Sequence, residues 1–305
     1  MIKRTLYFEN PAFLSTKEEQ LVVSLIKDTS IPDIVKTVTI PIEDVGVVVL
    51  DNKQITITHA LLNKLIENNA AVITCDDHHM PSSLFMPVAG NTTQCERFAV
   101  QINASVPLKK QLWQQTIQQK IMNQGWLLKN AGYTSDNMTE WVRNVKSDDA
   151  EYHEARAAAY YWSRIFSGYI MDFKRGREEP DPNNLLNYGY AILRAVVARS
   201  LVATGLLPTL GIHHRNRYNA YALADDIMEP YRPFVDKIVL EIIAEKPLTY
   251  DLNPEMKKRL LAIPVLDVII DGQTSPLMIA MQRTASSVYF CFSGEQRKLL
   301  YPTFD

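Results

Sequence analysis

The chain has 305 residues, 47% of them hydrophobic and 22% charged, with 11 Gly and 16 Pro. That apolar content is enough for one large or two medium cores and excludes disordered and collagen-like chains. The formal net charge of -2 excludes nucleic-acid binding through bulk charge, so any DNA contact has to come from local patches, a metal or a partner.

The first twenty residues lack an uninterrupted apolar run, because charges return at Glu9, Lys17, Glu18 and Glu19; this argues against a signal peptide and for a cytoplasmic protein. Thr5–Phe8 and Leu21–Leu25 read as strands. Thr37–Ile42 alternates apolar and polar, Val45–Leu50 is a β-branched run interrupted by Gly46, and Gln54–Ile57 alternates again. With the turn residues Asp51–Lys53 between them, the last two segments predict a β-hairpin. Thr58 is placed to cap a short helix over His59–Glu67, and Ala71–Thr74 closes the set as a strand. Residues 1–85 therefore read as a small, mainly β domain.

Beyond Pro87 the periodicity becomes helical. Ser105 and Pro107 open a helix whose apolar face is Leu108, Leu112, Trp113, Ile117, Ile121 and Met122. Asp148 and Asp149 offer N-caps to an alanine-rich helix running through Glu154 to Trp162, with Glu151 and Glu154 near its positive end. A charged, Pro-broken connector over 174–184 leads into an apolar helix from Leu185. That helix carries Asn187, Arg194 and Arg199, which suit a buried helix and not a membrane span. Ser286–Phe292 is either a strand or a short buried helix, which periodicity does not decide. Residues 86–305 read as a larger all-α domain, making the chain α+β. Cys75, Cys95 and Cys291 include no C-x-x-C pair, which argues against a thiolate zinc site or a disulfide framework.

The densest polar stretch is Gly211–Pro233. If Asn219–Glu229 is helical, Asp226 and Glu229 share a face, as do Asp225 and Glu229. Like charges at that spacing need compensation: arginines, protons or a bound cation. One arrangement is a solvated face neutralised by Arg215, Arg217 and Arg232. The other is a mixed oxygen and nitrogen site with one His, suited to Mg²⁺ or Mn²⁺ over structural zinc.

Three segments in order, Asp148–Trp162, Asn184–Leu193 and Gly211–Pro233 with its Asp226-Ile227-Met228-Glu229-Pro230-Tyr231-Arg232-Pro233 ending, resemble the CRISPR adaptation integrase, the universal CRISPR-associated endonuclease that inserts new spacers. The resemblance covers nearly the whole chain and implies a small β domain for dimerisation and partner contacts ahead of a helical catalytic domain. It implies Glu154, His214 and Glu229 as catalytic metal ligands for Mg²⁺ or Mn²⁺, with Asp226 as a further acid near the ion. His213 is the rival to His214. Glu229, where many relatives have Asp, resembles the branch associated with type II systems.

The implied activity is transesterification of prespacer 3′-OH ends into the repeat, in antiviral defence. The implied partners are double-stranded DNA, a second copy in a homodimer, a small ferredoxin-like adaptation subunit and a type II effector nuclease, with no membrane. Expected DNA contacts are Lys174, Arg175 and Arg177, Arg215 and Arg217, and Lys257, Lys258 and Arg259; Tyr160, Tyr161, Trp162 and Tyr188 are stacking groups or core. The alternative from another class is a noncatalytic DNA-binding scaffold subunit. A generic metal-dependent nuclease would cleave without joining.

Overall fold

The computed structural model describes residues 3–26, 34–176, 178–245 and 249–305. Arg177, one of the expected DNA contacts, lies outside the described residues. The chain divides into two compact units, Met1–Thr92 and Thr93–Asp305, seven residues beyond the boundary expected from the change in periodicity.

The first unit holds strands β1 (Arg4–Phe8), β2 (Ala12–Lys17), β3 (Gln20–Ile26), β4 (Ile34–Pro41), β5 (Val45–Leu50) and β6 (Thr56–Ile57), helix α1 (His59–Glu67), and strands β7 (Ala71–Cys75) and β8 (Pro81–Phe85). They form two four-stranded sheets, ordered β1-β5-β7-β8 and β4-β3-β2-β6. Ala12, Leu14, Leu21, Ile42, Val45, Val48 and Val72 share a buried core with Leu61 and Leu65 of α1. Thr58 caps α1 as expected, its side chain accepting from the Leu61 amide.

The expected hairpin across Asp51–Lys53 does not form. β5 pairs in parallel with β1 and β7, while β6 pairs in parallel with β2 in the other sheet. The reason was visible in β5 itself: Val45, Val47, Val48 and Val49 are fully buried, the continuous apolar run of a central parallel strand covered on both faces. At its end the buried Asp51 carboxylate accepts from the Tyr7 hydroxyl and pairs with His79 Nδ1, a junction between sheets and not a tight turn.

The second unit contains α2 (Gln94–Asn103), α3 (Val106–Asn130), α4 (Asp136–Asn144), α5 (His153–Trp162), α6 (Asn183–Ala203), α7 (Ala222–Met228), α8 (Arg232–Ala244), α9 (Pro254–Leu260), strands β9 (Asp267–Ile270) and β10 (Gln273–Pro276), and α10 (Leu277–Ser293). The β9–β10 hairpin, turned at Asp271-Gly272 with both φ angles positive, adds a small sheet to a domain read as all-α. An Asp-Gly pair between short apolar runs carries that signal. The ambiguous segment around Ser286–Phe292 lies inside α10.

Helix α3 is the axis of this unit. Its 25 residues span about 37 Å, and Ser105 caps it by accepting from the Leu108 amide. Leu112, Trp113, Ile117 and Ile121 are buried as expected, but Met122 is 48% exposed, since a residue directly after Ile121 is rotated about 100° away from the face. A C-terminal segment clamps this helix. Asn123 Nδ2 donates to Pro230 O (2.7 Å) and Pro302 O (3.0 Å). The Thr116 and Tyr301 hydroxyls are 2.8 Å apart, and Phe304 stacks between Trp126 of α3 and Phe234 of α8. Helix α6 passes close to α8 at Gly189, where a Cβ would stand 2.5 Å from Val235 Cγ1.

Candidate active site

Glu154 is placed by an unusual helix entry. Asp148, Asp149 and Tyr152 have positive φ, so the chain turns sharply before α5, and the Asp149 carboxylate then accepts from the amides of His153 and Glu154, both at 2.9 Å. Asp149 thus caps the helix from four residues upstream, which fixes Glu154 in the first turn. Asp148 pairs instead with Lys110 (3.0 Å) and with His213 Nδ1 (3.3 Å).

The loop 211–214 is wrapped around the fully buried Asp226 carboxylate. Oδ2 accepts from the amides of Ile212 (2.7 Å) and His213 (2.9 Å); Oδ1 accepts from the His214 amide (3.2 Å) and pairs with His214 Nδ1. Gly211 permits this wrap, since a Cβ there would lie 2.5 Å from His214 O and 2.7 Å from Asp226 Oδ2. Trp113 supports the two imidazoles from below, stacking on His213 at 4.2 Å and meeting His214 edge-on. The hydrogen bond to Asp226 holds His214 protonated above the ordinary histidine value of 6.5, against the opposing effect of burial, with help from the charges of Glu229 and Glu154. With Nδ1 donating to the carboxylate, Nε2 is the nitrogen left for a ligand or a proton.

Glu229 follows α7 in a 3₁₀ turn, 5% exposed. Its Oε1 is 3.0 Å from Arg232 and its Oε2 is 2.6 Å from Lys120 Nζ. Lys120 Nζ also lies 2.6 Å from Glu154 Oε1. Burial pushes the Glu229 carboxyl up, but Arg232 and Lys120 outweigh it and hold the group below the usual glutamate range. Burial likewise opposes the charge on Lys120, and the two glutamates overcome it, so the ammonium keeps its proton.

The structure thus draws Glu154 and Glu229, 75 residues apart, onto one cationic point, with His214 within electrostatic reach of both. Among the described residues, no three His, Cys, Asp or Glu side chains stand close enough together to hold a metal ion; between the two carboxylates stands an ammonium. The donor set nevertheless fits a hard divalent ion. Two carboxylates converge on a single positive charge, Glu229 Oε2 is buried without a directed hydrogen bond, and an oriented imidazole stands beside them. Asp226 serves as the support of His214.

The expected helix from Asn219 starts only at Ala222, because Asn219 turns the chain instead, accepting from the Tyr221 amide and donating to Asp225. The acids of α7 and of the turn after it do not form one solvated face. Asp225 pairs with Arg194 at 2.6 Å, Asp226 with His214, and Glu229 with Lys120 and Arg232. Arg215 and Arg217 are exposed and line a concavity of about 560 Å³ with His214 and Lys109.

Lys174 is exposed, whereas Arg175 donates to Gly176 O, Asn183 Oδ1 and Asn187 Oδ1 and so is engaged within the fold. Lys257 is buried and Arg259 pairs with Glu245, leaving Lys258 as the exposed member of that cluster. Tyr161 and Tyr188 are core. Lys120 and Trp113 were missed as site residues. A signal existed for Lys120, which continues the buried α3 stripe of Trp113, Ile117 and Gln124, where a lone basic residue needs acids opposite it.

A family model described as CRISPR associated protein Cas1 matches residues 6–263. The CRISPR-associated endonuclease Cas1 of Neisseria meningitidis serogroup C is 34% identical over 289 residues, covering 94% of this chain and 91% of the relative. Among solved structures, a casposase bound to integration product superposes with a TM-score of 0.79 at 18% identity, covering 98% of this chain and 92% of that one. A Cas6-RT-Cas1–Cas2 complex superposes with a TM-score of 0.73 at 20% identity, covering 97% of this chain and 35% of that one. The structural likenesses establish the fold, and the sequence matches, which span most of the chain, show that it belongs to the Cas1 family of CRISPR-associated proteins.

Proposed function

We propose that this chain is a divalent-metal-dependent DNA integrase that joins prespacer 3′-OH ends to a CRISPR repeat by transesterification. The observation that carries the reading is the convergence of Glu154 and Glu229 on one buried cationic point beside His214. The casposase likeness, a protein seen with its integration product, supports the same chemistry.

In the reaction, the prespacer 3′ oxygen forms a new bond to the phosphorus at the 5′ edge of the repeat while the bond from that phosphorus to the 3′ oxygen of the adjoining nucleotide breaks. The number of phosphodiesters is conserved; the attacking hydroxyl gives up a proton and the leaving oxygen takes one. Glu154, Glu229 and His214 would hold a divalent ion, which when bound would supply Lewis-acid polarisation of the phosphate. Arg232 and the α7 turn fix Glu229, the Asp149 cap fixes Glu154, and Asp226 orients the imidazole, so the donors are held before DNA arrives. Arg215, Arg217 and Lys174 are placed to hold the phosphate backbone. One protomer carries one such site, so joining both prespacer ends calls for a homodimer, and the likeness to the Cas1–Cas2 assembly supports a small ferredoxin-like partner. A type II effector nuclease is the further partner of this reading.

Asp225, Asp226 and Glu229 each having a basic partner favours the noncatalytic scaffold as second reading. Strand transfer separates them. Labelled prespacer duplex, a repeat-bearing plasmid and Mn²⁺ or Mg²⁺ are combined with wild type, Glu154→Gln or His214→Ala, with and without the partner. Product is expected only with metal and the native residues, each variant losing more than about 10²-fold in rate. DNA binding without joining, under every partner condition, establishes the scaffold; cleavage without joining establishes a simple nuclease.

A further inference from the structure

Lys120 plays no part in the activity as read so far, yet its ammonium stands at the centre of the site, 11% exposed and 2.6 Å from one oxygen of each glutamate. A divalent ion bound by those same oxygens would stand about 2.0–2.6 Å from each, so the two cations claim one space. Of the ammonium's two carboxylate contacts, that to Glu154 Oε1 is a hydrogen bond, whereas Glu229 Oε2 accepts none of good geometry and holds the ammonium by charge. The backbone beneath it is fixed, since Thr116 and Asn123 tie α3 to the C-terminal segment. Motion is left to the four-carbon stem, which rotates freely compared with an arginine fork.

Charge points the same way. At rest, the two glutamates are balanced by Lys120 and Arg232. With a divalent ion in place of the ammonium, this group carries one net positive charge, which a single phosphodiester balances; with the ammonium retained beside the ion, the excess doubles in a poorly solvated site, at a cost that burial makes steep.

Resting on the metal reading above, we propose that Lys120 is the resident counter-ion of the metal site, and that its ammonium and the divalent ion occupy the space between Glu154 and Glu229 in alternation. Entry of the ion requires the Lys120 head to leave the carboxylates, so the affinity measured for the metal includes the work of displacing it. Removing the ammonium removes the competitor and at the same time leaves two carboxylates facing each other unbalanced.

The test uses the full chain in chelator-treated buffer with MnCl₂ or MgCl₂ as the sole added ligand. Titration calorimetry is run on wild type, Lys120→Met, Lys120→Gln and Arg232→Met, the last removing a charge that pairs with Glu229 alone. Both Lys120 variants are expected to bind Mn²⁺ at least about tenfold tighter than wild type, as for any site freed of a competing state, and to melt lower without metal but recover more on adding it; Arg232→Met gains less. In wild type, acetylation of Lys120 followed by mass spectrometry is expected to be slow without metal and to accelerate severalfold at saturating Mg²⁺. Lys120 labelling that does not respond to metal overturns the proposal whichever way the affinities move, and it needs no variant to fold. Equal Mn²⁺ affinities in wild type and both Lys120 variants overturn it while the metal site stands. Absence of Mn²⁺ binding in every chain removes the metal reading and this inference together.

Discussion

Gly211 shows how little room the site leaves. Its missing side chain lets the 211–214 loop lay three amides on Asp226, and a Cβ there would meet His214 O at 2.5 Å. Gly211→Ala is therefore expected to destabilise by about 1–3 kcal/mol and to slow strand transfer at least about tenfold by misplacing His214, measured by thermal unfolding and by rate of joined product. A second residue-scale case lies behind the site. Burial pushes Asp236 from the ordinary 3.8 up to about 6, although the hydroxyls of Tyr190 and Tyr161 and the charges of Arg175 and Arg232 oppose that rise. A carboxyl whose folded value is raised binds more protons folded than unfolded, so its stabilising effect is complete below about 4 and is lost as pH climbs through about 6. Two units correspond to about 3 kcal/mol. Asp236→Asn, which stays neutral, should gain in melting temperature relative to wild type as pH goes from 4.5 to 7; a difference independent of pH would contradict this.

At the scale of elements, the start of α5 ties sequence to chemistry most directly. Two amides at the helix end depend on Asp149, and Asp149→Ala is expected to cost about 1–2 kcal/mol and to speed hydrogen exchange at His153 and Glu154 while the later turns of α5 keep their protection. An aspartate cap was legible in the sequence; that it acts across a turn with positive φ at Asp148, Asp149 and Tyr152 was not, because positive φ at Asp and Tyr leaves no compositional trace. The same contrast runs through the chain. Helices with a cap and a clear stripe, such as α1 and α3, could be read directly. The two sheets could not be sorted, since β5 and β6 carry strand signals that say nothing about which partner each will find. Spacing raised Glu229 with Asp225 and Asp226 as one side of a cation site or of an arginine-neutralised face, and only resemblance chose between the two and added Glu154 and His214. Arg232 does neutralise Glu229 as that face required, but the second neutralising group, Lys120, sits 109 residues upstream of Glu229, where no local pattern connects the two.

On the scale of the whole molecule, a formal charge of -2 means that DNA affinity rests on where exposed cations cluster and not on bulk charge. Arg215 and Arg217 beside His214 are the nearest. Arg215→Ala is expected to lower the slope of log affinity against log salt by about 0.9 and to weaken binding alike for all sequences, readable by fluorescence anisotropy on two unrelated duplexes. A change confined to one sequence would instead make Arg215 a reader of bases.

The clamp on α3 has a consequence in time. Asn123 grips both Pro230, next to Glu229, and Pro302, and Phe304 is wedged between α3 and α8. A chain still being synthesised therefore has Glu154, His214 and Glu229 outside the ribosome well before the segment that holds Lys120's helix in register has emerged. Nascent chains, and chains broken off before Tyr301, would carry Glu154, His214 and Glu229 without the contacts that fix α3, so under the proposed reading strand joining is expected only once translation has passed that point.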